Sequence, residues 1–465
     1  MMDSSLIDQL AEIVGQKNVL RAPEELLTYG YDATRDEGRP DCVVFPTTTE
    51  HVSAVMRLAS EHTIPVCARG AASGLSGGSV PITGGISLAM TRMNHILEIN
   101  TDDLFARVEP GVVVATLIDE VAKHGLLYPP DPSSMRTCTM GGAVAENAGG
   151  LRGLKYGVTK DYVIGLTAVA ADGRVFHTGG VTMKNVSGYD MTKLLVGSEG
   201  TLAVITEITV KLIPAPEARR SLMAIFGDIR DAGRTVSEVI RSGLIPATLE
   251  IMDRITINAV EDAKGIGLPR EADALLLFES DGDPAVVEKE AARIEEICRA
   301  NGASEIRVAA DDEERESIYT ARRASLPSLA RVKPTCILED ATVPRSKVLE
   351  MLNAVNEIAE RHGLVIGTFG HAGDGNLHPT IICDERDAEE MERVERAIDE
   401  IFEAALRLGG TLSGEHGIGL AKRRYMERQF GPEGMAMMSR VKAALDPKNI
   451  LNPGKIFEVT PCLTS

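Results

Sequence analysis

The stretch Arg69-Gly-Ala-Ala-Ser-Gly-Leu-Ser-Gly-Gly78 is where the fold is decided. Its residues are small enough for backbone N–H groups to approach an anion closely, so its composition is that of a phosphate-cradling loop. No Gly-Lys-Ser/Thr closes it, which removes the Walker loop. No G-x-G-x-x-G can be threaded through it, which removes the Rossmann fingerprint. An ordinary Gly/Ser surface loop has the same composition, so the weight falls on what flanks it.

Ile64-Pro-Val-Cys-Ala68, just before the loop, reads as a strand. Further back, residues 3–14 have helical spacing and Cys42 to Phe45 a buried strand's composition. Thr49 to His62 reads as a helix capped by Thr49, with Val52, Val55, Met56 and Ala59 on one face. Beyond the loop, short strands are expected at Ile86 to Met90, Ile96 to Asn100 and Ala106 to Pro110. A helix is expected within Val112 to His124, closed by Gly125. Pro129-Pro-Asp-Pro-Ser133 is a rigid turn. Thr139 to Gly150 is a second run of small residues, suited to carry a flat ring system. Strands follow at Val163 to Ala170 and, rich in β-branched residues, at Thr201 to Leu212.

Pro214-Ala-Pro216 marks a boundary, after which strands and amphipathic helices alternate as in an α+β or α/β domain. Helices are expected at 228–242, 253–263, 285–300, 311–324 (with Arg322 and Arg323), from Pro344 to about Arg361, at 387–408, and within 436–457.

Two Gly-rich turns carry the chemistry. In His371-Ala-Gly-Asp-Gly-Asn-Leu-His378 a hairpin over about 365–383 would point both imidazoles into one space. Glu415-His416-Gly-Ile-Gly419 adds a carboxylate and a further imidazole. Two His and one carboxylate suit a divalent ion with coordination positions left open, and His416 beside them suits a base. Spacing alone is weak here, because a histidine pair seven positions apart is commonly ordinary.

The 465 residues suffice for two domains. Lys plus Arg is 49 and Asp plus Glu 68, so the net charge is 49 − 68 = −19, which opposes nucleic-acid binding and polybasic membrane adsorption. Seven cysteines, at 42, 67, 138, 298, 336, 383 and 462, form no C-x-x-C pair, so a cysteine-bound iron–sulfur cluster or zinc ribbon is not expected. Their scatter suits reduced thiols and a cytoplasmic setting. Neither a signal peptide nor a stretch long enough to span a bilayer is seen.

Taken in order, these motifs together with Val196-Gly-Ser-Glu-Gly-Thr201 and Leu451-Asn-Pro-Gly454 resemble the FAD-linked 2-hydroxy-acid dehydrogenases of the vanillyl-alcohol-oxidase (PCMH-type) flavoprotein fold. These include D-lactate dehydrogenases, the glycolate oxidase catalytic subunit and D-2-hydroxyglutarate dehydrogenase. The resemblance runs from about residue 20 to 457. It implies an α+β chain: a PCMH-type FAD-binding domain at 1–214, an α/β cap at 215–424, and a segment from 425 to 465 returning to the FAD domain. It implies that Arg69, Gly70, Ala71, Ala72, Ser73, Gly74, Leu75, Pro130, Asp131, Gly141, Gly142, Asn147, Ala148, Gly149, Ile205 and Asn452 bind FAD. Residues 65–78 contain no histidine, so the FAD is expected to be non-covalent.

The same resemblance makes His371, His378 and Glu415 ligands of a zinc, manganese or iron ion and His416 the base. Arg322 would hold the substrate carboxylate, with Asn376 also at the substrate and Arg323 a surface charge. The implied reaction removes the hydroxyl proton and passes a hydride to flavin N5. Leu338-Glu-Asp-Ala-Thr-Val-Pro344 lacks the lysine that the hydroxyglutarate enzymes carry before this stretch, which favours a short monocarboxylate such as D-lactate or glycolate. Without Fe–S cysteines, electrons would leave to an Fe–S subunit, an electron-transfer flavoprotein, a quinone or a cytochrome. Two rivals share the fold: a non-redox enzyme of the alkylglycerone-phosphate-synthase kind, and a catalytically silent electron-transfer subunit. The oligomeric state stays open, a homodimer included.

Overall fold

The computed structural model describes residues 2–457; Cys462 lies outside them. The chain divides into two compact units. One takes residues up to Gly149, Val158–Ala215, and the chain from Glu415 onward; the other takes Gly150–Gly157 and Pro216–Gly414. By compactness the chain returns to the first unit at Glu415 rather than at about 425, and residues 150–157 go with the second.

In the first unit a four-stranded sheet has the order Val19–Leu20, Cys42–Val44, Ile86–Ala89, Val66–Arg69. Its last three strands are parallel, which requires crossover connections. One of these carries the helix Thr49–His62. Its cap is Thr48, one residue earlier than expected, because Thr48 keeps an extended backbone and its hydroxyl accepts from His51 N at 3.2 Å. Val52, Val55, Met56 and Ala59 are buried in a core with Cys42, Val44, Val66 and Leu88. The returning tail joins this core: Val66 N donates to Ile450 O (2.7 Å), and Asn452 N to Val66 O (2.8 Å). The Arg69–Gly78 loop therefore leaves the C-terminal end of a strand fixed on both sides.

A second, five-stranded antiparallel sheet has the order Ile96–Asn100, Phe105–Val108, Val204–Lys211, Val163–Val169, Val175–Gly179. The small-residue run after Thr139, expected to carry a flat ring system, forms a helix, Met140–Glu146. The tail helix begins ten residues earlier than 436, at Met426, and runs to Leu445 with a break at Gly431 before Pro432.

The second unit holds one large sheet with the order Ala303–Val308, Ala218–Phe226, Ala274–Gly282, Thr248–Asp253, Val365–His371, Asn376–Cys383, Thr335–Leu338. Each of these neighbours pairs antiparallel. Five of its helices start on aspartates: Asp228, Asp253, Asp283, Asp311 and Asp387 each accept from a first-turn N–H, satisfying orphan donors and complementing the helix dipole. Val348–His362 starts later than Pro344, after a short 3-10 turn at Arg345–Lys347. Among the described residues no helix is long and apolar enough to cross a membrane.

Candidate functional site

In the first unit the glycine-rich loop has the properties of an anion cradle. Among the described residues no acceptor takes the backbone N–H of Ala71, Ala72, Ser73, Gly74 or Leu75, although backbone donors are normally paired or solvated. Ala72 adopts a positive φ of 56°. A Cβ on Gly70 would collide with the Thr139 hydroxyl, so the loop can lie this close to the start of the Met140–Glu146 helix because residue 70 is glycine. Gly142 N donates to that same hydroxyl. Arg69 is buried and its side chain is used elsewhere: Nη1 donates to Tyr29 O at 2.8 Å, and the guanidinium lies 5.0 Å from the Tyr29 ring centroid. Arg69 therefore offers the loop its backbone alone.

Gly141, Gly142, Asn147 and Ala148 lie on or just past the same short helix, with Asn147 as its left-handed cap. The Asn147 carboxamide oxygen accepts from Lys160 N (2.8 Å). Asn452 is buried, and its amide donates to Gly78 O (2.8 Å) and Glu199 O (2.7 Å), tying the tail to the loop. Pro130 and Asp131 occupy the turn after Leu126–Leu127, and Ile205 is buried on the strand Val204–Lys211.

Glu415 and His416 open the last segment of this unit, with His416 Nε2 3.8 Å from Glu415 Oε1. A Cβ on Gly149 would stand 2.6 Å from Glu415 Oε2, so the carboxylate borders the small-residue run. Glu199 clamps the turn that follows, accepting from Ile418 N and Gly419 N at 2.7 Å each. Leu420 N donates to Ser76 O (2.7 Å), which binds the turn to the glycine-rich loop.

Two carboxyls missed in the sequence lie under this turn. Burial pushes Glu146 well above the ordinary carboxylate range, helped by the charges of Glu199 and Asp32. Burial also raises Glu199, against its two backbone donors, Lys422 and Lys455.

In the second unit the hairpin forms as the sequence suggests. Val365–His371 pairs with Asn376–Cys383, and Gly375 N donates to His371 O across the turn. Phe369 pairs with His378 and His371 with Asn376, so all four side chains share one face. Both histidines are buried. Their ring centroids are 5.2 Å apart at 89°, and one ring nitrogen of each lies within 4.8 Å of the other. Arg322 is 4% exposed while Arg323 bonds Glu316 at the surface. Asn376 is buried with its backbone N bonded to Asp374.

The link between these groups is Glu250, which the sequence reading also missed. It is fully buried; Oε1 lies 2.7 Å from His371 Nδ1 and Oε2 accepts from Arg322 Nε at 2.6 Å. Burial alone would raise its pKa, but His371 and Arg322 hold it below the ordinary value. An ionised carboxylate only accepts, so His371 carries a proton on Nδ1, which leaves Nε2 as the ring nitrogen able to offer a lone pair. A histidine whose far nitrogen is held by a carboxylate is the usual form of a metal ligand, so this donor set fits a divalent cation. Asp340, also missed, is buried, accepts from Ser413 Oγ (2.6 Å) and Gly414 N (3.0 Å), and has an oxygen within 4.8 Å of a His378 ring nitrogen. A charged residue inside an otherwise apolar strand, as in Thr248-Leu-Glu-Ile-Met-Asp253, was the available signal for Glu250.

Two family models match the chain: "FAD binding domain" over residues 40–179 and "FAD linked oxidases, C-terminal domain" over residues 215–456. The chain is 49% identical to glycolate oxidase subunit GlcD of Bacillus subtilis (strain 168), covering 98% of this chain and 97% of that one. It is 37% identical to D-lactate dehydrogenase of Anaerostipes hadrus, covering 97% of each. Among solved structures, p-cresol methylhydroxylase with substrate bound matches at a TM-score of 0.79 and 17% identity, over 97% of this chain and 96% of that one. This likeness gives the vanillyl-alcohol-oxidase/PCMH-type fold.

Proposed function

Because the chain belongs to the family of FAD-linked oxidases, we propose that it oxidises a small 2-hydroxy acid, glycolate or D-lactate, to the 2-oxo acid. One observation carries the reading. Arg322 is a buried cation whose Nε is held by Glu250, and among the described residues its terminal Nη donors have no acceptor. A planar fork so held suits the two oxygens of a carboxylate. The names of the relatives, a glycolate oxidase subunit and a D-lactate dehydrogenase, support the same substrate class.

In this reading the N–H groups of residues 71–75 and the small-residue run at 141–149 hold FAD without a covalent bond, and His371, His378 and Glu415 hold a zinc, manganese or iron ion. When bound, FAD supplies a two-electron acceptor and the cation supplies charge that steadies the substrate oxygen. Arg322 grips the carboxylate and Asn376 lies beside it. His416 takes the hydroxyl proton; it follows Glu415 directly, so little positioning entropy is left to lose. Electrons then pass to a partner, for which a protein is the first choice, since the GlcD relatives are named as subunits.

The test is anaerobic mixing of the FAD-loaded protein with D-lactate or glycolate while following flavin absorbance. Bleaching is expected in the wild type. It should be nearly abolished in His416→Ala with FAD still bound, and stopped by a chelator. A flavin that stays yellow with every 2-hydroxy acid would overturn the reading in favour of a non-redox or electron-transfer role. Bleaching at the wild-type rate in His416→Ala would remove the base.

A further inference from the structure

We propose that Glu250 is a positioning residue that makes one unit of the metal-ligand histidine and the substrate-binding arginine, setting the tautomer of His371 with one oxygen and the plane of Arg322 with the other. The proposal rests on the roles given above to His371 and Arg322.

The backbone dictates the arrangement. Ile251 pairs with Gly370 and Met252 with Phe369, which sets Glu250 beside His371 on the neighbouring strand. Arg322 reaches the same carboxylate from the last turn of the helix Asp312–Arg323. A lone carboxylate at this depth would be costly, and two charge-assisted bonds satisfy it, one per oxygen. The guanidinium is held a second way, with its carbon 4.7 Å from the Phe369 ring centroid. A bond at Nε and a ring against the face leave the Nη edge as the side that can meet a ligand. On the imidazole, a hydrogen bond donated by Nδ1 fixes the ring plane and directs the Nε2 lone pair.

A purely structural Glu250, present to neutralise buried Arg322, would need its charge but not its shape. The two roles separate in Glu250→Gln and Glu250→Asp. In Glu250→Gln the amide oxygen satisfies the Arg322 donor, which turns the NH2 group toward His371 Nδ1. The imidazole must then offer a lone pair at Nδ1 and carry its proton on Nε2, the wrong tautomer for a ligand. Glu250→Asp keeps the charge and loses the reach to both partners at once.

The first measurement uses the metal-free, FAD-loaded full chain. Its histidines are labelled with nitrogen-15, and His371 is assigned by the signal lost in His371→Gln. The wild type should show the proton on Nδ1; a proton on Nε2 would overturn the proposal whether or not any variant folds. The second measures Zn2+ and Mn2+ affinity by competition with a chelator. Both Glu250 variants are expected to bind each ion about 10–100-fold more weakly, with a raised KM for the hydroxy acid and unchanged FAD content. Affinity within twofold of the wild type in Glu250→Asp would leave Glu250 as a structural counter-charge and overturn the proposal. Failure of the hydroxy-acid reading looks different: the wild-type flavin would not bleach, while tautomer and metal affinity would still decide the part played by Glu250.

Discussion

Each unit hides carboxyl groups at full depth, and their surroundings push them in opposite directions. In the second unit Glu250 faces an imidazole and a guanidinium and stays below the ordinary pKa despite its burial. In the first, Glu146 faces Glu199 and is raised well above it, with Lys422 too little to compensate. Burial penalises both alike, so the difference lies in the donors around them. A buried anion held by a guanidinium and an imidazole N–H is a fixed charge that can organise other groups. A buried pair of like acids favours keeping a proton and becomes a bracket of reduced charge.

The contrast is broken most severely at Glu250. Glu250→Leu removes the anion and leaves Arg322 and His371 inside without it, so a loss of about 3–5 kcal/mol is expected. In a unit of this size that is roughly 10 °C of thermal midpoint, readable by calorimetry. If Glu250→Leu melts within about 2 °C of the wild type, the ionised-carboxylate reading of this cluster is wrong.

Asp253, three residues along the same strand, sharpens the comparison. It is buried like Glu250 but meets neutral donors, Thr256 N (2.8 Å), Thr368 N (2.7 Å) and the Thr256 hydroxyl, with Asp273 nearby. Burial wins there, and its pKa is raised from 3.8 to about 6. The sign follows from proton counting. Below 3.8 Asp253 is protonated both folded and unfolded, and between 3.8 and about 6 only the folded form keeps the proton. Its contribution is therefore complete below the unfolded value and is lost as pH rises through about 6. The loss amounts to about 3 kcal/mol at 1.36 kcal/mol per unit. Asp253→Asn removes this slope, so the wild-type minus variant difference in thermal midpoint should fall across that window. A difference that stays flat or rises would contradict the shift.

How much of this was legible depends on whether a residue's partners are near it in sequence. The hairpin from Val365 to Cys383 could be read because its turn, alternation and histidines lie in one short stretch. Arg322 and Arg323 differ by one helical position, and the matched motif favoured the inward one. Glu250 could not be paired from sequence, because its partners lie 121 and 72 residues away. Glu146 and Glu199 were hidden for the same reason, since Glu199 meets Ile418 and Gly419 at separations of 219 and 220. The Met140–Glu146 helix was not assigned from sequence, because two glycines near its start weaken the helical signal; its cap, Thr139, also packs on Gly70.

A smaller loss is expected where the bracket meets the turn. Gly417 has φ 86°, and a Cβ there would collide with Glu146 Oε2 and stand 3.1 Å from Glu199 Oε1. Gly417→Ala should cost about 1–3 kcal/mol through backbone strain, more if the carboxyls cannot yield. In a Glu146→Ala background the same change should cost less, because one of the two obstacles is gone. Equal costs in both backgrounds, measured as shifts in thermal midpoint, would show that Gly417 answers only to its own backbone.

The smallest loss is expected at Glu146 itself. If the pair holds a proton there, Glu146→Gln replaces one neutral hydrogen-bonding group by another of nearly the same shape, and near pH 5 the change should stay within about 1 kcal/mol. A raised carboxyl lends stability below its unfolded value of 4.5, and this is lost as pH rises toward the folded value. Glutamine cannot lose it, so the variant should gain on the wild type steadily as the medium becomes more alkaline. Glu199 should show the reverse cost, because Glu199→Gln sets an NH2 group against one of the two backbone donors it now accepts from, at Ile418 and Gly419. Should Glu146→Gln instead lose ground with rising pH, the charge would sit on Glu146, and the two units would treat their buried acids alike.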